Sequence, residues 1–219
     1  MIKYIFFDID DTLFPTSEFA QLARKNAIRA MIEIGLPFKD SDELYSRLLK
    51  TIQKLGSNSD RHFSELLDEL KIKKPARFIA AAVAAYHNTK TSILPYPEVP
   101  RLLLALREQG YKLYIATNGN AIKQWDKLIR LGIALYFEDV FVSEEIGTEK
   151  SKEFFVKVLE ALKIKAIECL MIGDKEDKDI LPAKEVGMRT ILRLGKSAKH
   201  VADIEVNDLS NLLDIIKKL

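Results

Sequence analysis

Acidic, hydroxyl and lysine side chains occur in this sequence at or shortly after the ends of apolar segments that have the composition of buried β-strands. The four groups of such residues are Asp8, Asp10, Asp11 and Thr12; Thr117, Asn118 and Gly119; Gly147 and Lys150; and Gly173, Asp174, Asp177 and Asp179. In an open parallel sheet, ligands bind beyond the carboxyl ends of the strands. We therefore expect carboxylates, a hydroxyl and an ammonium group to converge on one edge of a sheet.

Several carboxylates in one place repel one another and lose hydration, so a fold tolerates them only beside compensating positive charge. Oxygen ligands without a neighbouring His or Cys favour Mg²⁺ over zinc, and Mg²⁺ usually shares its coordination sphere with a phosphate group. The Thr117 hydroxyl, the amides around Asn118 and Gly119, and the Lys150 ammonium group are candidates for holding the other phosphate oxygens. This set provides what phosphoryl transfer needs, namely in-line positioning and neutralisation of charge.

The first two carboxylates, those of Asp8 and Asp10, are two residues apart, a spacing that suits two different catalytic roles. Asp8 lies at the end of the first apolar segment, and Asp10 points the same way if the backbone stays extended. One carboxylate then acts as the nucleophile and the other as the general acid and later the general base. We expect their surroundings, rather than residue type, to separate these roles.

The elements that must position these residues follow from hydrophobic periodicity. Lys3–Ile9 is apolar on both faces, as in a central parallel strand. Between residues 17 and 91 nothing alternates with period two, and four helices are predicted. From about residue 95, strands and helices alternate, which requires a mostly parallel sheet. The predicted fold class is α/β, with a Rossmann-like parallel sheet core (residues 1–15 and 95–219), helices on both faces, and an inserted all-helical domain (residues 16–94).

Composition excludes several classes of protein. The 219 residues include 34 Lys and Arg against 32 Asp and Glu, a formal charge of +2 that does not favour nucleic acid or membrane surfaces as partners. A single cysteine, Cys169, excludes an intramolecular disulfide framework, and its apolar neighbours predict a packing role. The chain enters a strand at once, without a signal-peptide pattern, so we expect a cytoplasmic protein. A monomer and a homodimer are both compatible with the sequence.

The motifs of this chain resemble those of a known family. FFDIDDT, ATNG, a downstream lysine and MIGDKEDKD, in that order, resemble the motifs of the HAD (haloacid dehalogenase-like) hydrolase superfamily, and the helical block resembles its C1-type cap domain. The start of the chain, YHNTK at Tyr86–Lys90 and TNGNAIKQWDK at Thr117–Lys127 are similar to an archaeal subgroup described as glyceraldehyde 3-phosphate phosphatases, which is related to N-acylneuraminate-9-phosphatases. The resemblance covers essentially the whole chain.

The resemblance implies a role for each matching residue. Asp8 would be the nucleophile that forms an aspartyl-phosphate and would also bind Mg²⁺, and Asp10 would be the acid/base, with its backbone carbonyl on the metal. Thr117 would bind the phosphoryl group. Asp174 would be a carboxylate ligand of the metal, and Asp179 would orient metal-bound water.

The third motif departs from the family pattern. Many relatives have Gly-x-x-Lys-Pro, whereas here Gly147-Thr-Glu-Lys150 is followed by Ser151 and Lys152. The spacing from Gly147 assigns the phosphate-binding role to Lys150, and Lys152 is the alternative.

The function expected from these residues is Mg²⁺-dependent hydrolysis of a small phosphorylated metabolite, with glyceraldehyde 3-phosphate as the substrate that the subgroup suggests. Haloacid dehalogenation and sugar phosphomutation are alternative activities. A receiver-like signalling module that carries a phosphorylated Asp is the non-enzymatic alternative, although receivers place that Asp after a middle strand and lack a helical insertion.

Overall fold

The protein is described by a computed structural model that covers residues 1–56, 59–194 and 201–219. The chain divides into two compact units. One consists of Met1–Pro15 and Leu94–Leu219, and the other of Thr16–Ile93. That the helical unit serves as a cap stays a prediction. No helix within the described ranges is long and apolar enough to cross a membrane.

The first unit is built on a six-stranded sheet in the order β3-β2-β1-β4-β5-β6, in which every pair of neighbouring strands is parallel. The strands are β1 (Tyr4–Phe7), β2 (Lys112–Thr117), β3 (Asp139–Val142), β4 (Cys169–Gly173), β5 (Arg189–Arg193) and β6 (Ile204–Val206). The first strand lies in the middle, where Ile5, Phe6 and Phe7 are fully buried. A strand that is covered on both faces needs apolar residues at every position, which explains the unbroken apolar run.

Helices cover this sheet and complete the predicted α/β class, which is confirmed. The helices of the first unit are α5 (Val99–Glu108), α6 (Ala121–Arg130), α7 (Ser143–Ile146), α8 (Lys152–Leu162), α9 (Leu181–Glu185) and α10 (Leu212–Ile216). Phe154 and Phe155 of α8 are fully buried and belong to the same apolar cluster as Phe6 of β1. Cys169 also lies in this cluster, and burial raises the pKa of its thiol to about 12. The thiol is therefore a packing group, as predicted.

The second unit is all-helical over its described residues. Its helices are α1 (Thr16–Glu33), α2 (Ser41–Leu55), α3 (His62–Glu69) and α4 (Ala76–Lys90). Asp40 caps α2 by accepting hydrogen bonds of 2.9 Å from the amides of Asp42 and Glu43. Leu44 and Leu48 then fall one turn apart on the buried face of α2.

Several short elements of the first unit were not predicted. Strand β6 and the four-residue helix α7 are too short to show a period. The segment Glu176–Ile180 forms a π-helical turn before α9, where a single helix was expected near residues 180–186. Wide turns of this kind are frequent at functional sites, and this one contains Asp179.

Candidate active site

The site lies where the order of the strands reverses. Strand β1 pairs with β2 on one side and with β4 on the other, and Phe7 is in register with Ile115 and with Ile172. The Asp8 amide donates to the Ile172 carbonyl oxygen at 2.9 Å. The ends of β1, β2 and β4 therefore place Asp8, Thr117 and Asp174 beside one another, at the position where open α/β sheets bind ligands.

A buried ion-pair network joins two of the predicted carboxylates to the predicted lysine. The Lys150 ammonium group lies 2.6 Å from Asp8 Oδ1 and 3.0 Å from the Ala116 carbonyl oxygen, and it also pairs with Asp179 Oδ1. Lys150, Asp8 and Asp179 are all buried. Lys152 is exposed on α8, so Lys150 is the lysine that the fold brings to Asp8.

The charges of this network perturb one another. Burial raises the pKa of Asp8 to about 6; the Lys150 charge opposes this rise, and the Asp179 and Asp10 charges reinforce it. Burial raises the pKa of Asp174 to about 7, with a contribution from the Asp8 charge. Burial alone would lower the pKa of Lys150, but the carboxylates of Asp179 and Asp8 outweigh burial and hold it above its ordinary value. The Lys175 charge opposes the rise at Asp174, but the carboxylates of Asp8, Asp174 and Asp179 still outnumber the ammonium groups of Lys150 and Lys175.

This excess of negative charge fits a bound hard cation. Carboxylate oxygens of Asp8, Asp174 and Asp179 lie within 4.8 Å of one another. Asp174 Oδ1 is buried and has no hydrogen-bond partner among the described residues. An unpartnered buried carboxylate oxygen is costly unless a further group binds it, and an all-oxygen donor set suits Mg²⁺.

Gly173 is required for this arrangement because Asp179 packs directly against it. A Cβ atom on Gly173 would lie 2.3 Å from Asp179 Oδ2. The same Oδ2 accepts a hydrogen bond of 2.9 Å from the Lys175 amide, which fixes the side chain inside the π-helical turn. Only glycine leaves room for a carboxylate at this point.

Asp10 occupies a separate part of the site. Its carboxylate forms a two-pronged ion pair with Lys127 of α6, at 2.5 Å and 2.7 Å. It is not one of the three carboxylates that cluster together. The carboxylate of Asp10 is therefore held away from the candidate metal position, and only its backbone carbonyl stays a candidate ligand, as the resemblance implies.

The residues after β2 are fixed by neighbouring loops. Asn118 Oδ1 accepts a hydrogen bond of 2.7 Å from the Lys150 amide, so this side chain locates the lysine. The Gly119 amide donates to Ser143 Oγ at 2.9 Å. Ser143 is the first residue of α7, so this helix accepts the Gly119 amide hydrogen, and a phosphate-binding role for Gly119 stays a prediction.

A side chain of β5 holds the loop that follows β1. The Arg193 guanidinium group donates to the Asp11 carbonyl oxygen at 2.7 Å and lies 3.5 Å from the centre of the Tyr96 ring. Asp11 has a φ of 58°, a conformation that non-glycine residues adopt uncommonly. The contact with Arg193 stabilises the bend that follows Asp8 and Asp10.

These groups surround a cleft with a volume of about 370 Å³. Its lining combines residues to which the sequence gives a predicted role with four to which it gives none, although one of these, Asp177, belongs to the last strand-end group. The predicted residues are Asp8, Asp10, Thr117, Asn118, Lys150 and Asp179; the others are Glu149, Lys175, Asp177 and Lys178. Lys178 forms an ion pair of 2.9 Å with Glu149 at the exposed side of the cleft.

Two functional candidates on α6, Gln124 and Lys127, were missed. Gln124 is buried, and it contacts Thr117 and Asn118. The signal that could have found them is their spacing: residues three apart lie on the same helix face, and the apolar Leu128 marks that face as the buried one. A polar side chain on a buried face calls for a specific partner.

Comparison with known proteins decides the family. The family model described as haloacid dehalogenase-like hydrolase matches residues 2–187. The chain belongs to this family. The resemblance expected from the motifs is therefore confirmed.

Similar proteins cover the chain from end to end. A protein named glyceraldehyde 3-phosphate phosphatase from Methanopyrus kandleri is 45% identical over 100% of this chain and 99% of its own length. A protein of the same name from Methanocaldococcus jannaschii is 43% identical, again over 100% and 99%. Among solved structures, the HAD-hydrolase YfnB from Bacillus subtilis, bound to magnesium, is 25% identical over 99% of both chains, with a TM-score of 0.71.

Proposed function

We propose that this member of the family is a Mg²⁺-dependent phosphatase that hydrolyses a small phosphorylated metabolite through an aspartyl-phosphate. The observation that carries the proposal is the position of Asp8: a buried carboxylate 2.6 Å from the Lys150 ammonium group, beside Thr117 and the unpartnered oxygen of Asp174. A nucleophile, a hydroxyl and a cation thus line one cleft, and a carboxylate oxygen of Asp174 lies within 4.8 Å of one of the nucleophile.

In the first step, a carboxylate oxygen of Asp8 attacks phosphorus and forms an acyl-phosphate bond while the ester P–O bond breaks. Asp10 gives its proton to the leaving oxygen, which departs as an alcohol. Lys150 and the Thr117 hydroxyl balance negative charge on the phosphoryl oxygens. A Mg²⁺ ion held by Asp8, Asp174 and the Asp10 carbonyl would supply further neutralisation of that charge.

In the second step, Asp10 takes a proton from water, and the water oxygen attacks phosphorus. The bond between phosphorus and Asp8 breaks, inorganic phosphate leaves, and the Asp8 carboxylate is regenerated. Lys127 holds the Asp10 carboxylate at two points, which keeps its position constant between the two steps.

We propose glyceraldehyde 3-phosphate as the first substrate to test. The support comes from the full-length relatives that bear this name at 43–45% identity. A cleft of about 370 Å³ admits a metabolite of this size, since small-ligand sites begin at about 300 Å³. We also propose that the helical unit, residues 16–94, acts as the cap that selects the leaving group.

A panel of metabolite phosphates, assayed for release of inorganic phosphate with Mg²⁺ and with excess chelator, tests the proposal. We expect turnover only with the metal. Asp8→Asn should remove nearly all turnover, whereas Asp177→Asn, a change at the exposed rim of the same cleft, should retain it. Full activity of the Asp8 variant would overturn the covalent mechanism.

Three other measurements on the same protein separate the alternative activities. Halide release that persists in chelator would indicate a dehalogenase, and transfer of phosphate to a second sugar position would indicate a phosphomutase. A phosphorylated Asp8 that is stable and does not turn over would indicate a signalling module.

A further inference from the structure

Helix α6 presents two polar side chains to the candidate active site, Gln124 and, three residues later, Lys127. Gln124 is 2% exposed, whereas Lys123, its neighbour on the same helix, is exposed. Burial of a side-chain amide costs free energy unless its hydrogen-bonding groups are paired. The partners of Gln124 therefore indicate what this residue does.

The contacts of Gln124 fix the orientation of its amide. Its Nε2 atom lies 2.8 Å from the Asn118 carbonyl oxygen and 2.7 Å from Thr117 Oγ1. A carbonyl oxygen can only accept a hydrogen bond, so the group that faces it is the NH₂ group and not the side-chain oxygen. One hydrogen of this group is donated to Asn118 and the other to Thr117, since the third acceptor near Nε2, Asp10 Oδ2, lies farther away at 3.5 Å.

The consequence is a defined role for the Thr117 hydroxyl. Its oxygen accepts from Gln124, so its own hydrogen must point elsewhere. Within the described part of the chain, no second hydrogen bond uses that hydrogen, and Thr117 lines the cleft. The hydroxyl is left as a donor toward whatever occupies the cleft, beside Asp8.

We propose that Gln124 is a positioning residue that directs the Thr117 hydroxyl hydrogen toward a phosphoryl oxygen. This inference rests on the proposed phosphatase function and adds a residue to it. A donor that is oriented before the ligand binds needs no rearrangement during the reaction, which is how such groups are most effective. Gln124 acts on the phosphoryl group through Thr117 in this scheme; its contact with Asp10 Oδ2, at 3.5 Å, is much longer than the contacts of 2.5 Å and 2.7 Å by which Lys127 holds that carboxylate.

A double-mutant cycle tests this role. Gln124→Met removes the amide donors at similar size, and Thr117→Val removes the hydroxyl at the same shape. Each change alone should lower kcat/KM and raise the inhibition constant of inorganic phosphate. Both effects should be on the order of 10-fold, the size expected for the loss of a hydrogen bond to a charged group. In the Thr117→Val background, Gln124→Met should have less than a further 2-fold effect.

Controls separate positioning from a structural effect. Lys123→Met, an exposed change on the same helix, should alter neither quantity. Thr117→Ser retains the hydroxyl and should therefore keep the sensitivity to Gln124→Met. A merely structural role of Gln124 would lower the active fraction, and hence kcat, without changing KM or the inhibition constant of phosphate.

A second variant covers the case in which Gln124→Met does not fold. Gln124→Leu removes the same amide donors with an apolar side chain of different shape and adds no charge beside Asp10. Its effect should be several-fold smaller in the Thr117→Val background. If the effects of the Gln124 and Thr117 substitutions on kcat/KM simply multiply in both cycles, the inference about Gln124 is overturned while the phosphatase proposal stands. If the wild-type protein releases no phosphate, the proposed function itself is refuted.

Discussion

Asp174 offers the sharpest test of the candidate metal site, because its carboxylate is costly without a cation. Burial and the Asp8 charge raise its pKa from the ordinary 3.8 to about 7, so the folded protein binds this proton more tightly than the unfolded chain does. Folding is therefore penalised at pH values above the unfolded pKa, progressively between about pH 4 and pH 7, and fully at pH 8. We expect Asp174→Asn to stabilise the metal-free protein at pH 8.

The size of the effect follows from the pKa. A rise from 3.8 to about 7 corresponds to about 4 kcal/mol, which is an upper bound because Asp8 and Asp174 repel each other and share part of the effect. We therefore expect a gain of about 1–4 kcal/mol in the free energy of unfolding, or about 2–4 °C in Tm for each kcal/mol in a chain of this length. The gain should shrink as the pH falls toward 4 and vanish below the unfolded pKa of 3.8, where both states are protonated.

The assay is thermal unfolding of the wild type and the variant at pH 8 and pH 5, in chelator and in excess MgCl₂. Mg²⁺ should raise the Tm of the wild type, since a ligand at 100 times its Kd stabilises by about 2.7 kcal/mol, and should do little for Asp174→Asn. Asp177→Asn, three residues away and exposed, should behave like the wild type. A variant that is less stable than the wild type in chelator at pH 8, or that keeps the full response to Mg²⁺, would refute the reasoning.

Three further substitutions test individual contacts. Lys150→Met should destabilise the protein by about 3–5 kcal/mol, because it leaves buried carboxylates unpaired, and it should also remove phosphatase activity. Lys152→Met should do neither. Unfolding and phosphate-release assays compare the two variants. Gly173→Ala should lower activity at least 10-fold and destabilise by about 1–3 kcal/mol, because its Cβ displaces Asp179; unchanged kinetics would contradict this. Lys127→Met should lower kcat by about 5- to 100-fold, because Asp10 loses its alignment. Lys123→Met is the control. Equal kinetics for the two variants would exclude an aligning role for Lys127.

The fold class and the position of the site were readable from sequence because both depend on short-range patterns. A strand buried on both faces must be apolar throughout, and helices must repeat their apolar residues every three or four positions. The polar residue that ends such a strand stands out at once, as Asp8 does after β1. Parallel strands then bring Asp8, Thr117 and Asp174 to one edge, and the observed registers place them there.

Some parts of the site required long-range packing that no local pattern specifies. No pattern around Gly119 indicates that its amide donates to Ser143, at the start of α7. Asp179 reaches Lys150 through a π-helical turn and the space beside Gly173, a fit that depends on the absence of one Cβ atom.

The sequence by itself determined the parallel α/β core, the helical insertion and the acidic strand ends, since element type and strand ends are set by neighbouring residues. The tertiary structure decided which of two nearby lysines enters the site: Lys150 is buried against Asp8, while Lys152, two residues later, faces solvent on α8. It also brought Gln124 and Lys127 to Thr117 and Asp10 from a separate helix. Which side chains contact the site depends on how loops and helices pack in three dimensions. A shift of one residue along the chain can move a side chain from a buried contact to solvent.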